Sequence, residues 1–171
     1  FLMKVLGVAL RKFPQANSSV DGQTDEIVYK QYVHIGVAVD TDRGLLVPVI
    51  RDVDKKDLSQ LADEIAQAAG KARNRKLSLD DMSGGSMSIS NLGSLGGGPF
   101  APIVNWPEVA ILGVSRARME PVFVDGQFVP RFMMPLTLSY DHRVIDGADG
   151  VRMLRWIVEA IEQPALIWLE P

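Results

Sequence analysis

The feature that most constrains this chain is the way its hydrophobic period changes along its length. Leu2 to Leu10, Leu58 to Ala72 and Val151 to Ile161 carry apolar residues at three- and four-residue spacing, the repeat of a helix with one buried face. Much of the chain between them alternates with the two-residue period of strands, punctuated by turn signals at Asp42-Arg43-Gly44 and Asp125-Gly126. Hairpin signals and alternation outnumber the continuous apolar runs that a doubly wound parallel sheet needs. The expected fold class is therefore α+β, a sandwich built on a mixed sheet with flanking helices.

Within that frame the first helix ends near Phe13, because Pro14 lacks a donor and turns the preceding residue away from helix. Residues 15–26 read as a polar loop, and Ile27 to Val39 and Leu45 to Ile50 as two strands around a turn. Asp54 or Asp57 caps an amphipathic, half-exposed helix that closes on Arg73, Arg75 and Lys76. Ser86 to Ser90 and Val109 to Val114 read as strands flanking a glycine-rich segment, Gly93 to Gly98. Val122 to Val129 holds a hairpin, Met133 to Tyr140 a further strand, and Ala148 to Ile161 the last helix. Its burial is expected along Val151, Leu154, Ile157, Val158 and Ile161.

Composition narrows the chemistry. The chain has 171 residues, 47% of them hydrophobic, which suffices for one core in a single domain. A formal charge of −3 gives no broad attraction to nucleic acid or anionic membrane. No apolar run reaches the ~18 residues of a membrane span, so the reading is soluble and intracellular. The absence of cysteine excludes disulfides, thiolate metal sites and a cysteine nucleophile. Nucleophilic sulfur must come from a substrate, and no metal site is expected. The chain enters a helix at Phe1 with no start signal, which reads as a fragment.

Only two histidines are present. His34 lies in an alternating strand, where a structural role is the simpler reading. His142 lies between a strand and a helix in Ser139-Tyr140-Asp141-His142-Arg143-Val144-Ile145-Asp146-Gly147, where scaffolds place reactive groups; imidazole is the natural proton shuttle there, although satisfied turn histidines also occupy such loops. Two other motifs lead nowhere. Gly96-Gly97-Gly98 lacks the ending of a phosphate loop, and Asp52-Val53-Asp54-Lys55 fits helix capping better than a lipoyl-bearing turn.

Tyr140 to Gly147 resembles the D-H-R-x-x-D/N-G signature of the dihydrolipoamide acyltransferases, whose H-x-x-x-D-G kernel is shared with the chloramphenicol acetyltransferase superfamily. Gly44 to Ile50, Ser88 to Gly93 and Pro102 to Gly113 resemble the same family in order and spacing. The resemblance implies a chloramphenicol acetyltransferase-like two-layer fold, with residues 1–171 an acyltransferase catalytic domain truncated at its N-terminus. Lipoyl and peripheral-subunit-binding domains are absent from the sequence.

The implied activity is acyl transfer between the dihydrolipoyl-lysine of a separate lipoyl domain and coenzyme A. Gly93 to Ile103 and Pro107-Glu108-Val109 look more like the pyruvate branch, hence acetyl; succinyl and branched-chain members share the signature, and an inactive scaffold is the non-enzymatic alternative. By resemblance His142 is the base and Ser90 the oxyanion donor, while Asp146 organises the loop or assists the transition state. A carboxylate placed at a helix start by the dipole fits Asp146 equally. Phe100 and Met134 match positions lining the apolar end of the substrate channel, with core packing as the alternative for both. The resemblance further implies a homotrimer assembling into a cubic or icosahedral core, with Trp156, Trp168 and Leu169 available to seal contacts between copies. Its implied partners are a 2-oxo acid decarboxylase and dihydrolipoamide dehydrogenase, in the bacterial cytoplasm or the mitochondrial matrix.

Overall fold

A computed structural model describes residues 1–42 and 44–169. Helix α1 (Leu2–Lys12) buries Met3, Val5, Leu6, Ala9 and Leu10 and stops at Phe13, before a short 3-10 turn (Pro14–Ala16). Five short strands then follow: β1 (Ser18–Asp21), β2 (Glu26–Tyr29), β3 (Ile35–Val37), β4 (Val39–Thr41) and β5 (Gly44–Leu46). After β6 (Val49–Ile50), helix α2 (Leu58–Arg73) starts on a capping box: Asp57 accepts from Gln60 N–H, and the Gln60 side chain accepts from Asp57 N–H. Asp57, not Asp54, is thus the cap. The helix buries only Leu61 and Ala72, as its half-exposed pattern implies.

Strands β7 (Met87–Asn91) and β8 (Ala110–Val114) form the centre of the molecule, followed by the hairpin of β9 (Arg118–Val124) and β10 (Gln127–Met133). Its turn residues Asp125 and Gly126 both have positive φ, 49° and 85°, the backbone that the Asp-Gly pair selects. Strand β11 (Leu136–Tyr140) and helices α3 (Gly147–Glu162) and α4 (Leu166–Leu169) complete the fold.

The main sheet has the order β11-β8-β7-β3-β6, with β3, β7 and β8 mutually parallel and both outer strands antiparallel. It is mixed and carries helices, as expected for the α+β class. Met87, Ile89, Leu112 and Val114 pack from the sheet into one core with Leu6, Leu10, Met153 and Ile157 of α1 and α3. Each fully buried side chain of this size contributes roughly 1.5–3 kcal/mol.

Four expectations change. Residues 15–26 are not all loop: β1 pairs with the whole of β2 in a hairpin whose second strand is exposed, and the polar composition of β1 hides it from the sequence pattern. The expected pair of strands from Ile27 to Ile50 is a series of short ones, and of its Asp42-Arg43-Gly44 turn Arg43 lies outside the described residues. Met133 to Tyr140 is interrupted at Met134-Pro135, since Pro135 cannot donate to a ladder. Helix α3 is rotated from the expected face: Gly150, Met153, Trp156, Ile157 and Ala160 are buried, whereas Val151 is 59% exposed. Gly150 decides this, because a Cβ there would stand 2.7 Å from the Tyr140 ring. Trp156 is consequently a core residue, edge-on to Phe13, not a contact between copies, while Trp168 and Leu169 remain exposed.

Candidate active site

Ser90 is set in place by the pleat of β7. Met87 and Ile89 point into the core, so Ser88 and Ser90 share the opposite face. Ser90 registers with Gly113 on β8, and Gly113 with Thr137 on β11. Gly113 has no side chain for a steric reason: a Cβ there would lie 3.0 Å from Pro102 and 3.3 Å from the ring of Phe100. Phe100 therefore covers the residue that pairs with Ser90.

His142 is positioned by the antiparallel run of β11 against β8. Tyr140 registers with Ala110, and Asp141 N–H donates to Val109 O at 2.8 Å, which pins the following turn to the start of β8. Val144 and Ile145 N–H close that turn on Asp141 O at 3.1 and 3.0 Å. Arg143 forks onto both carboxylate oxygens of Asp141, with Nη2 2.6 Å from Oδ2. The pairing holds the Asp141 carboxyl below the usual carboxylate range and raises Arg143. The flanking charges thus satisfy one another, and His142 stands exposed with its ring 5.7 Å from Tyr140. Asp146 caps α3 through Oδ1, which accepts from Asp149 N–H at 2.8 Å. This is the helix-start role expected of its carboxylate.

The two ends do not meet within one chain. Ser90 is level with Thr137, five residues before His142 on a strand two places away. At about 3.3 Å per residue along the strand and about 4.8 Å per strand across the sheet, Ser90 and His142 stand roughly 19 Å apart. Met134 joins β10 to β11 and packs against the core.

A buried polar cluster next to Ser88 has no counterpart in the sequence pattern. Glu108, only 6% exposed, enters β8 facing Lys30, whose ammonium donates to Gly85 O at 2.9 Å and Ser18 O at 3.3 Å. Burial pushes the Glu108 carboxyl up to about 7 against the pull of Ser88, Lys30 and Asn105. Burial lowers Lys30, and Glu108 opposes that shift. Glu108 Oε2 finds no hydrogen-bond partner among the described residues. Gly85 was the available signal for this region, since a Cβ there would run into the Glu108 carboxyl; nothing in the periodicity points to Lys30. Among the described residues no group of three or more His, Asp or Glu is placed to hold a metal ion, and no helix is long and apolar enough to cross a membrane.

The comparisons with known proteins agree with one another. The chain is 55% identical over 160 residues to the dihydrolipoyllysine-residue acetyltransferase component of the pyruvate dehydrogenase complex of Pseudomonas aeruginosa, covering 94% of this chain. It spans less than a third of that protein's length, and likewise of the Haemophilus influenzae counterpart. An Azotobacter vinelandii dihydrolipoamide acetyltransferase structure superposes with a TM-score of 0.94 at 50% identity, covering 98% of this chain and 69% of that one. The cubic core of a pyruvate dehydrogenase multienzyme complex gives the same score and coverage at 51% identity. Chloramphenicol acetyltransferase shares the fold, with a TM-score of 0.55 at 16% identity, covering 91% of this chain and 74% of its own. Residues 1–169 match the model of the 2-oxoacid dehydrogenases acyltransferase (catalytic domain), and the chain belongs to that family.

Proposed function

We propose that residues 1–171 form an acyltransferase catalytic domain that moves an acetyl group between the dihydrolipoyl-lysine of a separate lipoyl domain and coenzyme A. His142 takes the proton from the coenzyme A thiol, and the thiolate attacks the acetyl carbon of the lipoyl thioester. The new C–S bond leaves a tetrahedral oxyanion, which accepts a hydrogen bond from the Ser90 hydroxyl, an interaction worth about 3–4 kcal/mol in comparable sites. Collapse breaks the old C–S bond, and the departing lipoyl thiolate recovers the proton from His142. Asp146 holds the turn by capping α3, and Phe100 walls the acyl end of the channel. For Met134 its place against the core favours packing.

The observation that carries this reading is spacing. The Azotobacter vinelandii enzyme was solved to investigate the catalytic role of a serine, a histidine 52 positions later and an asparagine four beyond that. Ser90, His142 and Asp146 have the same separations, with aspartate in place of the asparagine.

Base and oxyanion donor must both reach one reacting carbonyl, which a separation of roughly 19 Å in a single chain forbids. The site is therefore shared between copies, and family resemblance makes the working unit a trimer in which His142 of one copy faces Ser90 of the next. Surfaces suited to such contacts are present. The β9–β10 hairpin exposes paired rows, Met119 with Phe132, Pro121 with Pro130 and Phe123 with Phe128, and α4 exposes Trp168 and Leu169. Trimers then build the core of a 2-oxo acid dehydrogenase complex, served by its decarboxylase and dihydrolipoamide dehydrogenase in a bacterial cytoplasm.

The test mixes His142→Ala and Ser90→Ala proteins under conditions of subunit exchange and follows coenzyme A-dependent transfer from acetyl, succinyl and isobutyryl donors. Mixed trimers recover acetyl transfer through interfaces that pair an intact His142 with an intact Ser90. Activity at the single-variant floor despite demonstrated mixing overturns the shared site, and preference for another donor overturns the acetyl assignment.

A further inference from the structure

The stretch from Leu92 to Pro102 is conformationally soft and lies beside Ser90. Its four glycines include Gly96 and Gly97 at φ of 95° and 93°. Within it, Leu95 and Gly96 N–H both donate to Leu92 O at 3.0 and 3.2 Å, and its start is tied down by Leu92 N–H to Val114 O and Gly93 N–H to Asn91 Oδ1. The rest of the glycine run is held from outside by two consecutive residues just past β8. Arg116 Nε donates to Gly93 O at 2.9 Å and Nη2 to Ser94 O at 3.2 Å. Ser115, only 5% exposed, donates from Oγ to Gly98 O at 3.2 Å.

A guanidinium donates in a rigid planar fork, so two successive carbonyls on one Arg116 fix the direction of the loop as well as its position. Gly98 is two residues from Phe100, and Phe100 touches the space above Gly113, the register partner of Ser90. A shift of the glycine run is thus passed directly to the wall over Ser90.

We infer that Arg116, backed by Ser115, is a positioning residue: a latch that holds Gly93–Gly98 and thereby sets how Phe100 covers the acyl end of the Ser90 site. The functional half rests on the reading of Ser90 as oxyanion donor; the latch itself does not.

The experiment compares Arg116→Ala and Arg116→Lys with wild type in the assembled full-length protein, using amide hydrogen exchange and steady-state transfer kinetics. Ser90→Ala runs in parallel, and Arg51→Gln, whose side chain pairs with Asp80 away from the loop, serves as control. Exchange of the Gly93–Gly98 amides rises about tenfold in Arg116→Ala, with β7 and β8 unchanged. In the same variant kcat falls about tenfold while KM for coenzyme A moves less than about twofold, because misplacement acts on the reacting geometry. Discrimination between acetyl and isobutyryl donors narrows as well. Lysine, a point charge without the fork, gives an intermediate result in both measurements. Unchanged exchange in Arg116→Ala overturns the latch. Faster exchange with unchanged kcat and acyl preference overturns its positioning role. Full turnover in Ser90→Ala overturns the Ser90 reading and with it that role, while the exchange data still decide whether the latch exists.

Discussion

His34 and His142 each follow a tyrosine by two residues, and each ring lies against that tyrosine, at 4.3 Å for Tyr32 and 5.7 Å for Tyr140. Around His34 the backbone and the ring Nδ1 are committed. Its Nδ1 accepts Asp52 N–H at 2.9 Å, its N–H donates to Ser86 Oγ at 3.1 Å, and its carbonyl accepts Ser86 N–H at 2.7 Å. Accepting at Nδ1 places the proton of the neutral ring on Nε2. Around His142 the commitments pass to the neighbours instead: Asp141 takes Arg143, and Asp146 takes the helix start. The acceptor nitrogen of His34 is thus tied into the scaffold, whereas the charges flanking His142 are spent on each other and on the helix start.

The hardest test of that contrast is His142→Ala. Its rate should fall by about 10³-fold or more, with denaturation midpoint and assembly unchanged, since a general base acts on the chemical step. Near wild-type turnover would remove His142 as the base.

Ser90→Ala extends the contrast to the proposed partner. We expect kcat to fall by about 10²- to 10³-fold with little change in KM, because an oxyanion donor acts in the transition state. A raised KM with kcat intact would make Ser90 a binding residue.

Glu108 tests whether a buried ionisable group beside Ser88 behaves as scaffold. Its carboxyl is pushed up to about 7, above the 4.5 of an unperturbed glutamate. Between those values the folded chain holds the extra proton, so the group's contribution is full below pH ~4.5 and is lost as pH rises through ~7. From this source the wild type should lose at most about 3 kcal/mol across the window. Chemical denaturation at several pH values should show a flatter profile in Glu108→Gln. An unaltered profile would mean that Glu108 does not govern it.

The smallest effect belongs to His34. Replacing it with alanine leaves the buried acceptor site for Asp52 N–H empty and should cost about 2 kcal/mol in urea denaturation, with turnover per folded molecule unchanged. His34→Asn, which can place an oxygen near the Nδ1 position, should recover part of the loss. A large drop in turnover without loss of stability would reverse the roles of the two histidines.

Much of the fold was legible because local chemistry and tertiary context agreed. Pro14 stopped α1, Asp57, one of two candidate capping aspartates, started α2, and Asp125-Gly126 turned the β9–β10 hairpin. Legibility failed where the partner lay far away in sequence. Helix α3 has apolar residues on more than one face, so its period gives a helix without saying which side turns inward. That choice came from Tyr140, which leaves room only for Gly150. The polar strand β1 was equally invisible, because its ladder is made of backbone and carries no hydrophobic signature.

The candidate site divides in the same way. The sequence by itself placed His142 in a charged turn between strand and helix, because side-chain chemistry is a property of the local chain, while only the resemblance to a family singled out Ser90 in its strand. It also determined, through the absence of cysteine, that no thiol nucleophile comes from these 171 residues. Only the tertiary structure decided that Ser90 and His142 occupy opposite ends of one sheet, that Phe100 stands over Gly113, and that Glu108 faces Lys30 out of water. These are relations between segments far apart in sequence. They depend on strand order, register and the packing that excludes solvent, and no local period encodes them.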